Sequence, residues 1–289
     1  MSREAIVHHP FVFSLGPLTI TGFGLAVALA FAVAHHTAAQ ELERRGHDPA
    51  PMHDVLLAAV VGFIIGAKLY FVALEGSWDK VFSRSGLVFW GGLIGGIGAS
   101  WLVLRRKRVP FLRVADATAP ALAAGYAIGR TGCWAVGDDY GRPWTGWLAV
   151  AFPEGAPPST AGTLMRDFGA QLPFSLKPET VLGVHPTQLY ETAMGLVMFA
   201  ILWRLRDHKH AEGWLFGLYC VLAGVERFIV EFYRAKGDRF VGPLTTAQAV
   251  ALGFLVVGAF LMVRRNSTGP GRPGILAPPT RRGLAPSAS

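Results

Sequence analysis

Charge is scarce in this chain. Asp, Glu, Lys and Arg make up 16% of its 289 residues, against about a quarter in soluble domains. That excludes an ordinary water-facing globule, and with it the broad basic groove that a nucleic-acid-binding protein needs. Two cysteines, Cys133 and Cys220, are too few for a disulfide framework. No small-residue cleavage site follows the first apolar run, so the first helix is expected to remain in the mature protein. The glycine-rich run from Gly91 to Gly98 lacks the Lys-Ser/Thr pair of a phosphate-cradling loop, so it predicts close helix packing instead. His47-Asp48 and His53-Asp54 flank Pro49 and Pro51 in a short polar loop, a poor metal cage. With His8, His9, His35, His36, His208 and His210, these histidines read as solvated residues in loops or at helix ends, and no metal site is expected.

What the chain has is hydrophobic length. Seven segments meet or approach the roughly 20 apolar residues of a membrane span: about 15–36, 53–75, 86–104, 114–130, 186–204, 213–233 and 243–263. The fourth is the shortest and contains Asp116 and Pro120. The net charge of +8 is gathered into clusters beside these runs. Arg44 and Arg45, Arg105 to Arg108, Arg204 with Arg206, and Arg264 with Arg265 fall on one side; sparser charges such as Arg3, Lys80, Arg84, Lys236 and Arg239 fall on the other. Positively charged loops stay in the cytoplasm, which places the N-terminus and the long insertion 131–185 outside and the C-terminus inside. The expected fold is an all-α integral membrane protein of about seven transmembrane helices, with an extracytoplasmic insertion between the fourth and fifth. Residues 1–265 form the membrane domain, and 266–289, rich in Pro, Gly, Arg and Ser, form a disordered cytoplasmic tail. The expected location is the inner membrane.

Three stretches carry polar groups that a purely structural membrane helix avoids. The first runs from Gly129 to Arg142, where the fourth helix is expected to break around Arg130. The second is His185-Pro186-Thr187-Gln188-Leu189-Tyr190-Glu191, opening the fifth helix. The third runs from Glu226 to Arg234 and ends the sixth. Arg227, Glu231 and Arg234 are spaced to share one helix face. A charge at the bilayer centre costs about 2.5–3.5 kcal/mol even on insertion scales, so these groups need an internal destination. Guanidinium forks suit a phosphate, which makes Arg130 and Arg227 candidates for holding an anionic head group. Ion pairs that lock helices together, or arginines snorkelling to the interface, are the structural alternatives. Inter-helix bonding likewise competes with substrate contact for His185, Gln188, Tyr190 and Glu191.

In this order these stretches resemble the prolipoprotein diacylglyceryl transferases, over most of the chain from Phe13-Ser14-Leu15-Gly16-Pro17 to the final helix. The most specific parts are Gly129-Arg130-Thr131-Gly132, His185 to Glu191, and Arg227 to Arg234. The resemblance implies transfer of diacylglyceryl from phosphatidylglycerol to the lipobox cysteine of a preprolipoprotein, within the lipid bilayer and with no cofactor. It makes Arg130 the phospholipid-binding arginine and Arg227 the essential arginine of the sixth helix, with Glu231 and Asp138 as further catalytic residues. Arg234, Gln188, Tyr190, Glu191 and His185 join Arg130 and Arg227 in binding substrate. The chain departs from the family pattern at Cys133, where Asn is usual, at Phe89-Trp90-Gly91-Gly92, where the family has Phe-His-Gly-Gly, and at Gly22-Phe23-Gly24, where it has Trp-Tyr-Gly. With Trp90 unable to accept a proton, Asp138, Asp139, His185 and Glu191 are candidate bases. A relative that binds lipid or precursor without transfer, and an anion transporter, are competing readings; no inverted repeat favours the second.

Overall fold

The computed structural model describes residues 5–16, 18–78, 81, 88–173, 175–235, 239–241 and 244–267. Lys80, Arg84, Lys236 and all of the expected tail beyond 267 lie outside the described residues. Eight helices are present among those that are described: α1 (Gly22–Arg44), α2 (Pro51–Glu75), α3 (Phe89–Arg106), α4 (Phe111–Val136), α5 (Ala161–Phe168), α6 (Thr187–Leu205), α7 (Trp214–Val230) and α8 (Thr246–Arg264). Each of the seven expected apolar segments contains one long helix, and α5 is an addition inside the insertion. By length and composition α1, α2 and α8 are apolar enough to cross a membrane on their own.

Two helices depart from expectation. The first begins later than residue 15, because Val12–Leu15 (β2) and Leu18–Thr21 (β3) pair as an antiparallel hairpin turned at Gly16, whose φ is 60°. Thr21 then caps α1, its hydroxyl accepting from Gly24 N at 3.1 Å. At its other end α1 continues past His36, because Glu41 is bonded by Arg44 and Arg45 at 2.7 and 2.6 Å and the last turns stay helical. The fourth helix is the longest. It does not break at Gly129 or Arg130 but runs through both, and Pro120 sits inside it.

The bundle packs as α1 on α4, α2 on α3, α7 on α8, and α6 across α4. The glycine run behaves as expected: a Cβ on Gly92 would meet the Phe63 ring at 2.6 Å, and Gly91 and Gly95 rest on the backbone of Gly66 and Gly62. Small residues let these backbones touch where no hydrophobic force drives helices together in lipid. At the end away from the insertion, Asp116 is fully buried and its Oδ1 accepts from Phe216 N at 2.9 Å, stabilising the first turn of α7. His208 lies 3.5 Å from Asp116 with 3% side-chain exposure, and the His35 ring lies tilted against His53 at 4.4 Å. The solvated reading is therefore corrected for His208, where the 206–213 connection folds inward, while His35 is half-buried within α1.

The insertion is a packed cap. Ile6–Val7 (β1) pairs in parallel with Val150–Ala151 (β4). Tyr140, Val150, Phe152, Leu164 and Val184 form its apolar centre together with Ala235, so α5 and the chain beyond α7 are held over one end of the bundle. Arg239–Val241 (β5) pairs with Leu244–Thr245 (β6) before α8, where Thr245 and Gln248 close a reciprocal cap.

Candidate active site

Beneath this cap, three arginines, one buried and two partly buried, meet three carboxylates. α4 supplies Arg130, α6 supplies Glu191, and α7 supplies Arg227. The turn after α7 supplies Glu231 and Arg234. Asp139 comes from the loop after α4, which leaves the helix at Gly137 (φ 69°). A side chain there would strike the Phe152 ring at 2.9 Å, so glycine is required both by conformation and by space.

Glu191, 1% exposed, is the hub. Its Oε2 pairs with Arg130 Nη2, and its Oε1 lies 3.5 Å from Arg227 Nη1 and 3.3 Å from Arg234 Nη1. Asp139 accepts from Arg130 Nη1 at 2.9 Å and from Arg234 Nη2 at 2.6 Å. Glu231 holds Arg227 Nη2 at 2.8 Å and lies 4.0 Å from Arg234 Nε. The three arginines differ in access: side-chain exposure is 30% for Arg227, 11% for Arg130 and 4% for Arg234. The Nε atoms of Arg130 and Arg234 are buried and donate no hydrogen bond. Unmet donors of this kind are costly and mark places where function outweighs stability.

Arg130, Arg227, Glu231, Arg234 and Glu191 are thus brought together. Asp138 is not among them. Its carboxylate turns back to accept Asp139 N at 2.6 Å, and among the described residues it forms no ion pair. The acid that binds the arginines is Asp139, which a φ of 58° directs inward. Burial pushes the Asp138 carboxyl above its usual range, and the charge of Asp139 adds to that shift.

Gln188, His185 and Tyr190 build the wall. Gln188 Nε2 donates to Asp138 O at 2.6 Å and Thr187 Oγ1 to Asp139 O at 2.8 Å, so the start of α6 holds the loop that carries Asp139. The His185 ring stacks on Trp144 at 4.3 Å, and its Nδ1 lies 3.2 Å from the Tyr190 hydroxyl. Burial, reinforced by Arg142, pushes the His185 pKa down. Cys133 Sγ accepts from Arg130 Nη1 at 3.3 Å.

The loop is locked to both helices through backbone. Gly141 N donates to His185 O and Arg142 N to Tyr233 O, each at 2.8 Å. A Cβ on Gly141 would meet Tyr233 O, and also His185 Cβ and Thr187 Cγ2 at 2.8 Å. Gly141→Ala is therefore expected to cost about 1–3 kcal/mol and to displace Asp139. The check is a thermal unfolding midpoint with an activity assay; wild-type values for both would show that the loop can give.

Sequence reasoning missed one pair. Tyr126 lies one turn below Arg130 on α4, and its hydroxyl donates to Glu226 Oε1 at 3.0 Å. Glu226 is 4% exposed. Its position next to Arg227 in the chain was the available signal, but its partner is 100 residues away.

The family model for prolipoprotein diacylglyceryl transferase matches residues 10–264. Among curated proteins, phosphatidylglycerol–prolipoprotein diacylglyceryl transferases align nearly end to end. The protein of Xanthomonas oryzae pv. oryzae (strain PXO99A) is 34% identical over 272 residues, covering 88% of this chain and 90% of its own. That of Nitratidesulfovibrio vulgaris is 29% identical, with 91% and 96% covered. That of Oceanobacillus iheyensis is 28% identical, with 88% and 87% covered.

Proposed function

The chain belongs to the prolipoprotein diacylglyceryl transferase family and is a multi-pass membrane transferase, and on that premise we propose that Arg227 and Arg130 are the clamp for the phosphate of phosphatidylglycerol. The observation that carries this is the set of three guanidiniums gathered under the cap, with the buried Nε donors of two of them, Arg130 and Arg234, left unbonded. Arg227 is the most exposed and loosely tied, its Nη1 contact to Glu191 being 3.5 Å, so it meets the lipid first. Arg130 lies behind it. In transfer, the lipobox thiol sulfur bonds to the glyceryl carbon while that carbon's bond to the phosphate oxygen breaks. Glycerol phosphate leaves with the electron pair, and charge on phosphate grows by one unit. Fixed guanidiniums in a site of low dielectric stabilise that growth without reorganising.

Glu191, Glu231 and Asp139 hold the arginines at this spacing, and Arg234 closes the set from below the cap. Asp138, Gln188, His185 and Tyr190 act by shaping the Asp139 loop. The seven long helices span the inner membrane, with the N-terminus and cap outside and the C-terminus in the cytoplasm. Support comes from the positive charges concentrated at the end opposite the cap, Arg44, Arg45, Arg105 to Arg108, Arg204 and Arg206 among them. The cap over the cluster is placed to receive a lipobox segment from that side, and residues 1–265 act as one domain.

Complementation tests the clamp. In a cell depleted of its transferase, the wild-type chain is expected to restore growth, while Arg130→Ala and Arg227→Ala, inserted to equal levels, do not. Rescue by both variants would remove the arginines from the mechanism.

A further inference from the structure

Glu226 is a further buried carboxylate beside the cluster, and it is held by a tyrosine rather than by an arginine. Arg130, Arg227 and Arg234 are matched by Asp139, Glu191 and Glu231, each within an ion pair. Among the described residues Glu226 forms no ion pair, and its side-chain hydrogen bond comes from the Tyr126 hydroxyl at 3.0 Å. The candidate bases read from the sequence are all engaged elsewhere. Glu191 and Asp139 are each tied to more than one guanidinium, which opposes taking a proton. Asp138 caps a backbone N–H, and His185 stacks on Trp144 within the wall.

The pair is placed as a floor. Tyr126 and Arg130 are four residues apart on α4, hence on one face and one turn apart. Gly195, across on α6, leaves room for the Tyr126 ring, Cδ1 lying 3.2 Å from where a Cβ would stand. Arg130 and Glu191 both act electrostatically on Tyr126, and Glu191, Arg227 and Arg130 on Glu226. The Tyr126 hydroxyl thus belongs to the helix face one turn from Arg130, with Glu226 behind it.

We propose that Glu226 is the proton acceptor for the substrate thiol, working through the Tyr126 hydroxyl. The S–H proton passes to the Tyr126 oxygen as the Tyr126 proton passes to Glu226, and the sulfur bonds to the glyceryl carbon as the carbon–oxygen bond to phosphate breaks. The departing phosphate gains one negative charge while Glu226 loses one, so the buried cluster keeps its net charge through the step. Glu226 then returns its proton to the glycerol phosphate or to water. Tyr126 touches the substrate, and Glu226 acts through it. The assignment rests on the clamp reading above, since the clamp sets where the thiol meets the lipid.

The test is steady-state transfer by the full chain in phosphatidylglycerol vesicles to a lipobox peptide, measured across pH. E226Q keeps shape and can still accept from Tyr126, but cannot take the proton. Its kcat at pH 7 is expected to fall about 10²-fold with KM for phosphatidylglycerol within twofold. The deficit should shrink towards pH 9 as the peptide thiol, of ordinary pKa about 8.5, ionises unaided. Y126F should match it, and the double variant should lose no more than either, as two members of one relay must. A wild-type rate in E226Q at pH 7, or a loss equal at all pH values, would overturn the assignment. Failure of the clamp reading shows separately, as Arg227→Ala with unchanged kcat and KM.

Discussion

Arg227→Lys is expected to lower transfer about 10²–10³-fold although the positive charge is kept. The Arg227 fork spans two carboxylates at once, Nη2 to Glu231 at 2.8 Å and Nη1 towards Glu191 at 3.5 Å. Its exposed edge, at 30% of the side chain, remains for phosphate. A lysine is a single point charge on a flexible stem; it can satisfy Glu231 or a phosphate oxygen but not hold both in one plane. Arg130→Lys should fail similarly, since Nη1 and Nη2 serve Asp139 and Glu191 separately. Arg166 is the internal control. It lies on the cap surface, 73% exposed and, among the described residues, paired only with its neighbour Asp167, a kind of bond worth little, so Arg166→Lys should transfer at the wild-type rate. The measurement is initial rate per folded molecule, with folding checked by thermal unfolding. Full activity in Arg227→Lys would mean that charge alone suffices and that no fork is needed.

The clamp proposed above couples binding to rearrangement. With three guanidiniums already matched by three carboxylates, an incoming phosphodiester must displace one of those contacts or use the unbonded edges. The contact with the least to lose is the 3.5 Å approach of Arg227 to Glu191. Glu231 and Asp139 meanwhile hold Arg227 and Arg234 by short bonds, so the cluster can open at one point without coming apart.

Much of this was readable from residue types alone. Arg130, Glu191, Arg227, Glu231 and Arg234 stand out because each breaks an apolar run at a cost that only an internal partner offsets. What the sequence hides is direction. The resemblance singles out Asp138 over its neighbour Asp139, yet a single left-handed residue decides which carboxylate faces the arginines. Gly129 and Gly132 suggest a break near Arg130, yet α4 keeps its helix. Gly132 stays small because a Cβ there would meet Ala26 of α1 at 2.7 Å. Tyr126 reads as one more apolar-face aromatic until α7 brings Glu226 against it. The start of α1 was obscured because Val12–Leu15 and Leu18–Thr21 are as apolar as a helix, and a short apolar run does not reveal its own period.

Glu191→Gln should move stability and affinity in opposite directions. Glu191 is the carboxylate that all three arginines share, and it is buried on α6 at the point where α4 and α7 converge. Neutralising it leaves Arg130 with Asp139 alone, Arg227 with Glu231 alone, and Arg234 with both of those acids. Removing one partner from a buried charge cluster costs about 3–5 kcal/mol, because the remaining charges stay desolvated without their counter-charge. The thermal midpoint and the amount of protein in the membrane should both fall. The fraction that stays folded, however, holds three cations against two anions. A phosphodiester can then take the place of the missing carboxylate, so KM for phosphatidylglycerol should drop even as kcat suffers from the loosened arginines. Vesicles with graded phosphatidylglycerol content would measure this, and added lipid should raise the midpoint more for the variant than for the wild type. An unchanged midpoint would show that the hub is not structural, and a raised KM would show that Glu191 meets the lipid by attraction rather than holding the clamp that does.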